Sequence, residues 1–354
     1  MYTDKVIEAE HLDLIHDVAY DFHGRRMATC SSDQTVKIWD LEDGEWKCTA
    51  SWKTHNGSVW RVAWAHPEFG QLIATCSFDR TAAVWEEMPG ESKDGKKSHW
   101  IKRCSLVDSR TSVTDVKFAP RHLGLQLATC SQDGYIRIYE AQDIMSLGSW
   151  TKHDDVAPSA NLSCSCLSWS SSRVHPPMIA VGCYDSNLPN QPASKEAHVI
   201  LYEYGQGSRK WMKVEAFSTI TETVRDVSFA PNLGRNYHTL AVASKHLYIF
   251  SIKPIKKDSV AKASLEVKQL VCFEEYTSKV WRVCWNVTGT ILASSGEDGC
   301  VKLWKANYLS PWKCIATLKG DGMRLSSVDY MNDHGDKRSK SLYPPLSKNQ
   351  VPWH

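Results

Sequence analysis

Two histidines each stand a little over twenty residues before an aspartate, His11 before Asp33 and His55 before Asp79, with serines close by in the chain. A His–Asp pair beside a Ser is the raw material of nucleophilic acyl transfer, in which the carboxylate orients the imidazole and the imidazole takes the hydroxyl proton. The pair recurs, however, and a catalytic group needs to occur only once, so recurrence points to a structural staple. Cys30, Cys76 and Cys130 all sit in the phrase ATCS among apolar neighbours and read as small buried hydrophobes. Cys164 and Cys166 are two apart and would face the same way in a strand. The sequence contains no Cys-x-x-Cys pair, Gly-rich phosphate loop, metal-ligand spacing or paired carboxylates. No cofactor, metal or catalytic site is expected, and the chain reads as a non-enzyme.

Composition narrows the classes further. The 354 residues carry 42 Lys+Arg against 40 Asp+Glu, a net charge of +2, and binding to nucleic acid needs a basic stripe that displaces counterions. No run of about 18 apolar residues occurs, so no membrane insertion is expected. The opening MYTDKVIEAE lacks the apolar middle of a signal peptide. Twelve cysteines in such a chain suit the cytosol or nucleus rather than a disulfide framework, and the three Asn-x-Ser/Thr triplets then read as chance.

The chemistry-bearing residues belong to a repeat. Residues 27–39 read MATCSSDQTVKIW, 73–85 IATCSFDRTAAVW, 127–139 LATCSQDGYIRIY and 292–304 LASSGEDGCVKLW, with weaker copies at 179–185 and 240–250. The recurring Ala falls at 28, 74, 128, 180, 241 and 293. Each copy is two short alternating runs joined at an Asp turn, the pattern of antiparallel strands. This is the WD-repeat pattern, whose unit is one four-stranded propeller blade, so the fold class is all-β: a six-bladed WD-repeat propeller over residues 1–318.

Three apolar columns run through the copies: Val18, Val62, Val116, Leu167, Val227 and Val283; Tyr20, Trp64, Phe118, Trp169, Phe229 and Trp285; and Trp39, Trp85, Tyr139, Tyr202, Phe250 and Trp304. Period-two alternation places such residues on blade faces, packed against the next blade, and accounts for six of the 15 tryptophans. Outer strands are announced by Trp46, Trp100, Trp150, Trp211 and Trp312. Counting them leaves one too many. VIEA at 6–9 reads as an outer strand, and KCIATL at 313–318 repeats KCTASW at 47–52. Either the N-terminal strand 5–10 completes the last blade and closes the ring, or 313–318 completes it locally and the ring stays open. In a third reading, 313–318 is a plain surface strand or coil. An open ring leaves blade faces uncovered, a liability that proteins manage by covering, and it would accept a seventh blade from a partner by strand addition.

At this point LIHDVAYDFHGRRMATCSSDQTVKIWD (14–40), SWKTHNGSVWRVAWAHPEFG (51–70), VDSRTSVTDVKFAP (107–120) and VWRVCWNVTGTILASSGEDGCVKLWKANY (280–308) closely resemble the Seh-type nucleoporins, homologues of the Sec-thirteen coat protein. The resemblance implies a scaffold subunit of the Y-shaped outer-ring complex of the nuclear pore, at the nuclear envelope. It also implies a GATOR-type complex promoting TOR signalling at the cytoplasmic face of lysosomes. Implied partners are a helical scaffold nucleoporin that donates a blade, a Mio-type propeller–helical protein in the same role, and other outer-ring nucleoporins. Carried onto this chain, the flanks of the gap are Val6, Ile7, Ala9, Leu14, Ile15, Val18 and Tyr20, with Val280, Val283, Ile315 and Leu318 in the last blade.

Other features carry less. The column Asp17, Arg61, Asp115, Cys166, Asp226, Arg282 mixes signs and reads as self-neutralising, not as the ring of cations a phosphopeptide reader needs. Trp60 and Trp281 recur in VWRVAW and VWRVCW, as rim anchors or as channel packing. Lysines 93, 96, 97, 256 and 257 read as solvated loop tips, and the tail 319–354 as disordered. A vesicle-coat subunit and a ubiquitin-ligase substrate receptor are the alternative functions.

Overall fold

A computed structural model of the chain describes residues 6–90, 98–158, 161–185, 196–255, 265–274, 278–307, 310–319 and 324–325. Each repeat forms one antiparallel sheet, in strand order along the chain. Blade 1 is β1 (Ile15–Tyr20), β2 (Arg26–Ser31), β3 (Thr35–Glu42) and β4 (Glu45–Lys53). Blade 2 is β5 (Val59–Trp64), β6 (Leu72–Ser77), β7 (Ala82–Pro89) and β8 (Ser98–Leu106). Blade 3 is β9 (Val113–Phe118), β10 (Gln126–Ser131), β11 (Ile136–Ala141) and β12 (Trp150–Val156). Blade 4 is β13 (Leu162–Trp169), β14 (Met178–Asp185), β15 (Val199–Gly205) and β16 (Lys210–Ala216). Blade 5 is β17 (Asp226–Phe229), β18 (His238–Ala243), β19 (Leu247–Pro254) and β20 (Leu265–Phe273). Blade 6 is β21 (Val280–Trp285), β22 (Ile291–Gly296), β23 (Cys300–Asn307), β24 (Ser310–Lys319) and the short β25 (Arg324–Leu325).

The recurring Asp explains the tight turn between the second and third strands. The residue after it has a left-handed backbone at Gln34, Arg80, Gly134 and Gly299 (φ 71°, 72°, 79° and 67°). The Asp carboxylate accepts the amide two residues on, from Thr35, Thr81, Tyr135 and Cys300 at 2.9–3.1 Å. That hydrogen bond mimics a backbone turn and holds the strained position even where it is not Gly.

The core lies between blades rather than inside one sheet. Ala28, Cys30, Val36 and Ile38 of blade 1 pack on Val59, Val62, Ile73 and Trp85 of blade 2. The same arrangement repeats to Ala241, Ala243, Leu247 and Ile249 of blade 5 against Val280, Val283, Leu292 and Trp304 of blade 6. Each blade therefore turns its first-strand apolar column toward the blade before it and its Ala column toward the blade after. The innermost strands pack side by side in the order β1, β5, β9, β13, β17, β21, and β21 does not pack on β1 in that way. The ring is open between blades 6 and 1.

The strand count resolves locally. β24, which contains 313–318, pairs with β23 from Cys300↔Lys319 to Asn307↔Ser310, so the outer edge of blade 6 is occupied. Residues 6–10, expected as a strand, join no sheet. Glu10 has a φ of 50°, outside strand geometry, and Lys37 Nζ donates to the carbonyls of Ala9 and Glu10 at 3.0 and 2.7 Å. Within the stretch expected as a disordered tail, Arg324 and Leu325 pair back onto Leu318 and Thr317. The rest of that tail and the lysines 93, 96, 97, 256 and 257 lie outside the described residues.

Candidate functional site

The His–Asp pairs have no access to a substrate. His11 Nδ1 lies 2.8 Å from Asp33 and His55 Nδ1 3.1 Å from Asp79, with both imidazoles 1% exposed. Their Nε2 atoms meet Thr29 and Thr75 Oγ1 at 2.9 and 2.7 Å. The same hydroxyls accept the indole N–H of Trp39 and Trp85 at 3.0 and 3.1 Å. A carboxylate only accepts, so Nδ1 carries the proton and Nε2 accepts from the threonine. The result is a four-member chain, Trp to Thr to His to Asp, joining the second and third strands, the turn between them and the loop before the first strand. The threonines escaped the sequence reading, although each directly follows the recurring Ala. Other blades replace the histidine: Asp133 pairs with Arg137 at 2.7 Å, Asp185 with His198 at 3.2 Å and Asp298 with Lys302 at 3.6 Å.

Thr75→Val keeps the shape but leaves the Trp85 N–H and the His55 Nε2 unpaired in a buried site, each at about 1–3 kcal/mol. A loss of about 2–4 kcal/mol in urea denaturation is expected, and a loss below about 1 kcal/mol would refute the relay. The pH dependence follows from the carboxylates. Burial alone would raise Asp33 and Asp79, but the hydrogen bonds of Thr35, His11, Thr81 and His55 outweigh it and hold both well below the usual range. Asp133 is lowered in the same way, against burial, to about 2 by Arg137 and Ser131. Groups depressed in the fold add stability above their unfolded value near 4 that is lost as pH falls through the folded values. The midpoint of thermal unfolding should therefore drop steeply from pH 4 to pH 2, and a flat profile there would contradict the pairing.

The uncovered faces stand out by comparison along the columns. Val18 is 48% exposed, while Val62, Val116, Leu167, Val227 and Val283 lie between 0 and 6%. Tyr20 is 55% exposed against 7–8% for Trp169, Phe229 and Trp285. It rests edge-on against Trp46 at 5.7 Å, as Trp64 does on Trp100, Trp169 on Trp211 and Trp285 on Trp312. Ile15, Leu14 and Val6 are also exposed, and Ile7 and Ala9 half-buried. On the other flank Val301 is 36% exposed, whereas Val36, Ala82, Ile136 and Leu247 are at most 2%. Leu303 and Leu318, beside it on the same face, are half-buried, and Ile315 is exposed at the bulge of β24.

The gap expectation needs one correction. Val280 and Val283 do not border the gap: they are 0% and 6% exposed and pack on blade 5. They share a column with Ile15 and Val18, and that column always faces the preceding blade, which blade 1 alone lacks. The flank that blade 6 presents is its Ala-column face, with Ala293, Val301 and Leu303. Comparing the alternate residues of blade 6 with their counterparts is the signal that finds it.

At the centre one buried guanidinium serves three blades. Arg61 Nη1, Nε and Nη2 lie 3.8, 3.6 and 3.4 Å from Asp17, Asp115 and Asp226. The other oxygens of these aspartates accept the amides of Val62, Leu167 and Val283 at 3.3, 2.9 and 3.1 Å, so blades 1, 3 and 5 are tied to 2, 4 and 6. Burial works against the charge of Arg61, but Asp115, Asp226 and Asp17 outweigh it and raise its pKa further. Burial pushes Asp226 up to about 6 despite Arg61 and Lys117. Across the gap Arg282 Nη2 donates to the His16 carbonyl at 2.7 Å and stands 3.5 Å from Asp17. Trp60 and Trp281 both line a cavity of about 490 Å³ at one end of the channel, with His16, Arg225 and Arg282. Among the described residues no group of three or more His, Cys, Asp or Glu could hold a metal.

Residues 5–40, 46–86, 102–140 and 267–305 match the family WD domain, G-beta repeat; the two weak copies read from the sequence fall between these matches. Over 335 residues the chain is 60% identical to Nucleoporin SEH1 of Osmerus mordax, covering 93% of this chain and 90% of that protein. It is 59% identical to Nucleoporin SEH1 of Pongo abelii over 357 residues, 99% and 95% of the two chains. The human Nucleoporin SEH1 is 59% identical over 330 residues, 91% and 90%.

Proposed function

This chain belongs to the Nucleoporin SEH1 family of WD-repeat proteins, and on that premise we propose that it is a non-enzymatic scaffold subunit of the nuclear pore outer ring whose open propeller is completed by a blade from a helical partner. The observation that carries the reading is the pair of uncovered blade faces: Ile15, Val18 and Tyr20 on blade 1, Val301 and Leu303 on blade 6. Fully burying an apolar side chain of this size contributes about 1.5–3 kcal/mol. A three-stranded insert between the faces would cover both and pair with residues 6–10 as its fourth strand, main-chain pairing supplying affinity and the apolar columns register.

The test is thermal unfolding of the full chain with and without the candidate blade-donating segment of a helical nucleoporin. Binding to the folded state alone stabilises by about 2.7 kcal/mol at a hundredfold excess over Kd, so the midpoint should rise by several degrees. No shift at saturation would sink the shared blade.

The same gap would serve a Mio-type propeller–helical protein in a GATOR-type complex promoting TOR signalling. Residence would accordingly be divided between the nuclear envelope and the cytoplasmic face of lysosomes. A vesicle-coat role uses the same chemistry with a coat protein as donor. The ubiquitin-ligase receptor reading is the weakest, since the central cations are already matched by Asp17, Asp115 and Asp226. Co-purification from cells separates them: helical nucleoporins, a Mio-type protein, coat subunits or cullin adaptors.

A further inference from the structure

The cavity at the channel mouth is lined by three arginines and a histidine but by no carboxylate. Arg61 is matched by the aspartates beneath it, whereas Arg225 has no carboxylate partner among the described residues. Its guanidinium carbon stands over the Trp281 ring, 3.9 Å from the centroid, a cation–π contact that uses the face of the ring and leaves guanidinium N–H groups to a ligand. Two further donors are buried without an acceptor, the Nη1 of Arg282 and the indole N–H of Trp60. The Trp60 ring is itself held by His16 at 4.7 Å. Trp281 is 45% exposed, and Val224 adds an apolar wall.

A concave site with an apolar floor and a few convergent donors is built for one orientation of one ligand. From this geometry we infer that the mouth binds an extended peptide carrying an acidic group beside an apolar side chain. The acidic group meets Arg225 and Arg282, and the apolar side chain lies between Trp60 and Trp281. Carboxylate and phosphoryl groups share the chemistry that a guanidinium edge recognises. Single-stranded nucleic acid also stacks on aromatic rings, but the chain carries a net charge of only +2. The cavity opens beside the gap, since Ile15 and His16 of blade 1 and Arg282 of blade 6 help line it. Arg225 precedes the first strand of blade 5, however, and Trp281 is not on the Ala-column face of blade 6, so changing these two tests the peptide site and not the shared blade.

The experiment screens the full chain against an immobilised library of seven-residue peptides built from Glu, phosphoserine, Lys, Phe, Leu and Gly. A fluorescein-labelled oligothymidine is measured in parallel. Enrichment of peptides with an acidic residue next to Phe or Leu is expected. Arg225→Glu and Trp281→Ala should weaken the selected peptides at least tenfold, with Arg225→Gln intermediate. All three variants should keep the thermal midpoint and its shift by the blade-donating segment. The glutamate and phosphoserine members tell which acidic group is preferred. No acidic enrichment, selected peptides that bind Arg225→Glu equally well, or oligothymidine binding more tightly than any peptide would each overturn the inference.

Discussion

Val62→Asp should unfold the chain, while the same change one blade earlier, Val18→Asp, should leave its stability within about 0.5 kcal/mol. The two residues hold one position in the repeat, and what separates them is the neighbour. Val62 packs on Ala28, Cys30, Val36 and Ile38 of blade 1, so Asp there places an unpaired charge in an apolar interface and costs more than about 4 kcal/mol. Val18 faces no preceding blade and its substituent stays in water. In the presence of the blade donor the ranking changes, since Val18→Asp should then abolish the thermal shift. Parallel denaturation of both variants decides it. Equal destabilisation would mean that the face of blade 1 is covered in solution and that the ring is closed.

Arg61→Leu is the second change with a large expected effect. It leaves Asp17, Asp115 and Asp226 facing one another at the centre with only Arg282 beside Asp17 and the more distant Lys117 as counter-charge, and removing one partner of a buried ion network costs about 3–5 kcal/mol. Arg61→Lys should recover only part of this. An ammonium is a point charge, whereas the guanidinium reaches three blades through three different nitrogens. Adding Asp226→Asn to the Arg61→Leu variant should restore about 1–2 kcal/mol by relieving the repulsion. In the unaltered protein Asp226, raised to about 6 by burial, favours folding while protonated. Its contribution is greatest below pH 4 and is lost as pH rises through 6, opposite in sign to Asp33 and Asp79. A stability curve from pH 4 to 7 that is unchanged by Asp226→Asn would remove this account.

Much of the fold was legible because a repeat states its rule several times. The Ala, Asp and aromatic columns placed the strands, the turns and the inter-blade tryptophans, and the excess outer strand at 313–318 exposed the question of closure. Alternation reveals that a strand has two faces but not which neighbour each meets; that depends on how the blades follow one another around the ring. Hence Val280 and Val283 were set on the gap, and Val301 and Leu303 were missed. VIEA at 6–9 has strand-like composition, yet a strand needs an edge to pair with, and β24 already holds the one in reach. The single Arg61 serving three aspartates was hidden for a different reason: residues 17, 61, 115 and 226 come together only when the ring forms.

Every blade here is made from one continuous stretch of chain, with no strand exchanged between its first and last sheets. A propeller sealed by such an exchange cannot finish its first sheet until the last residues arrive. Here nothing has to wait. Each hairpin finds its partners within a few tens of residues, and short-range pairing of this kind favours rapid folding. Blades can therefore form in the order of synthesis, each docking on its predecessor, with Arg61 in place by the second. On the proposed reading the order of assembly ends outside the molecule: the closure left to make would be with another chain, so that partner supply, rather than the chain's own terminus, would set when the ring is finished.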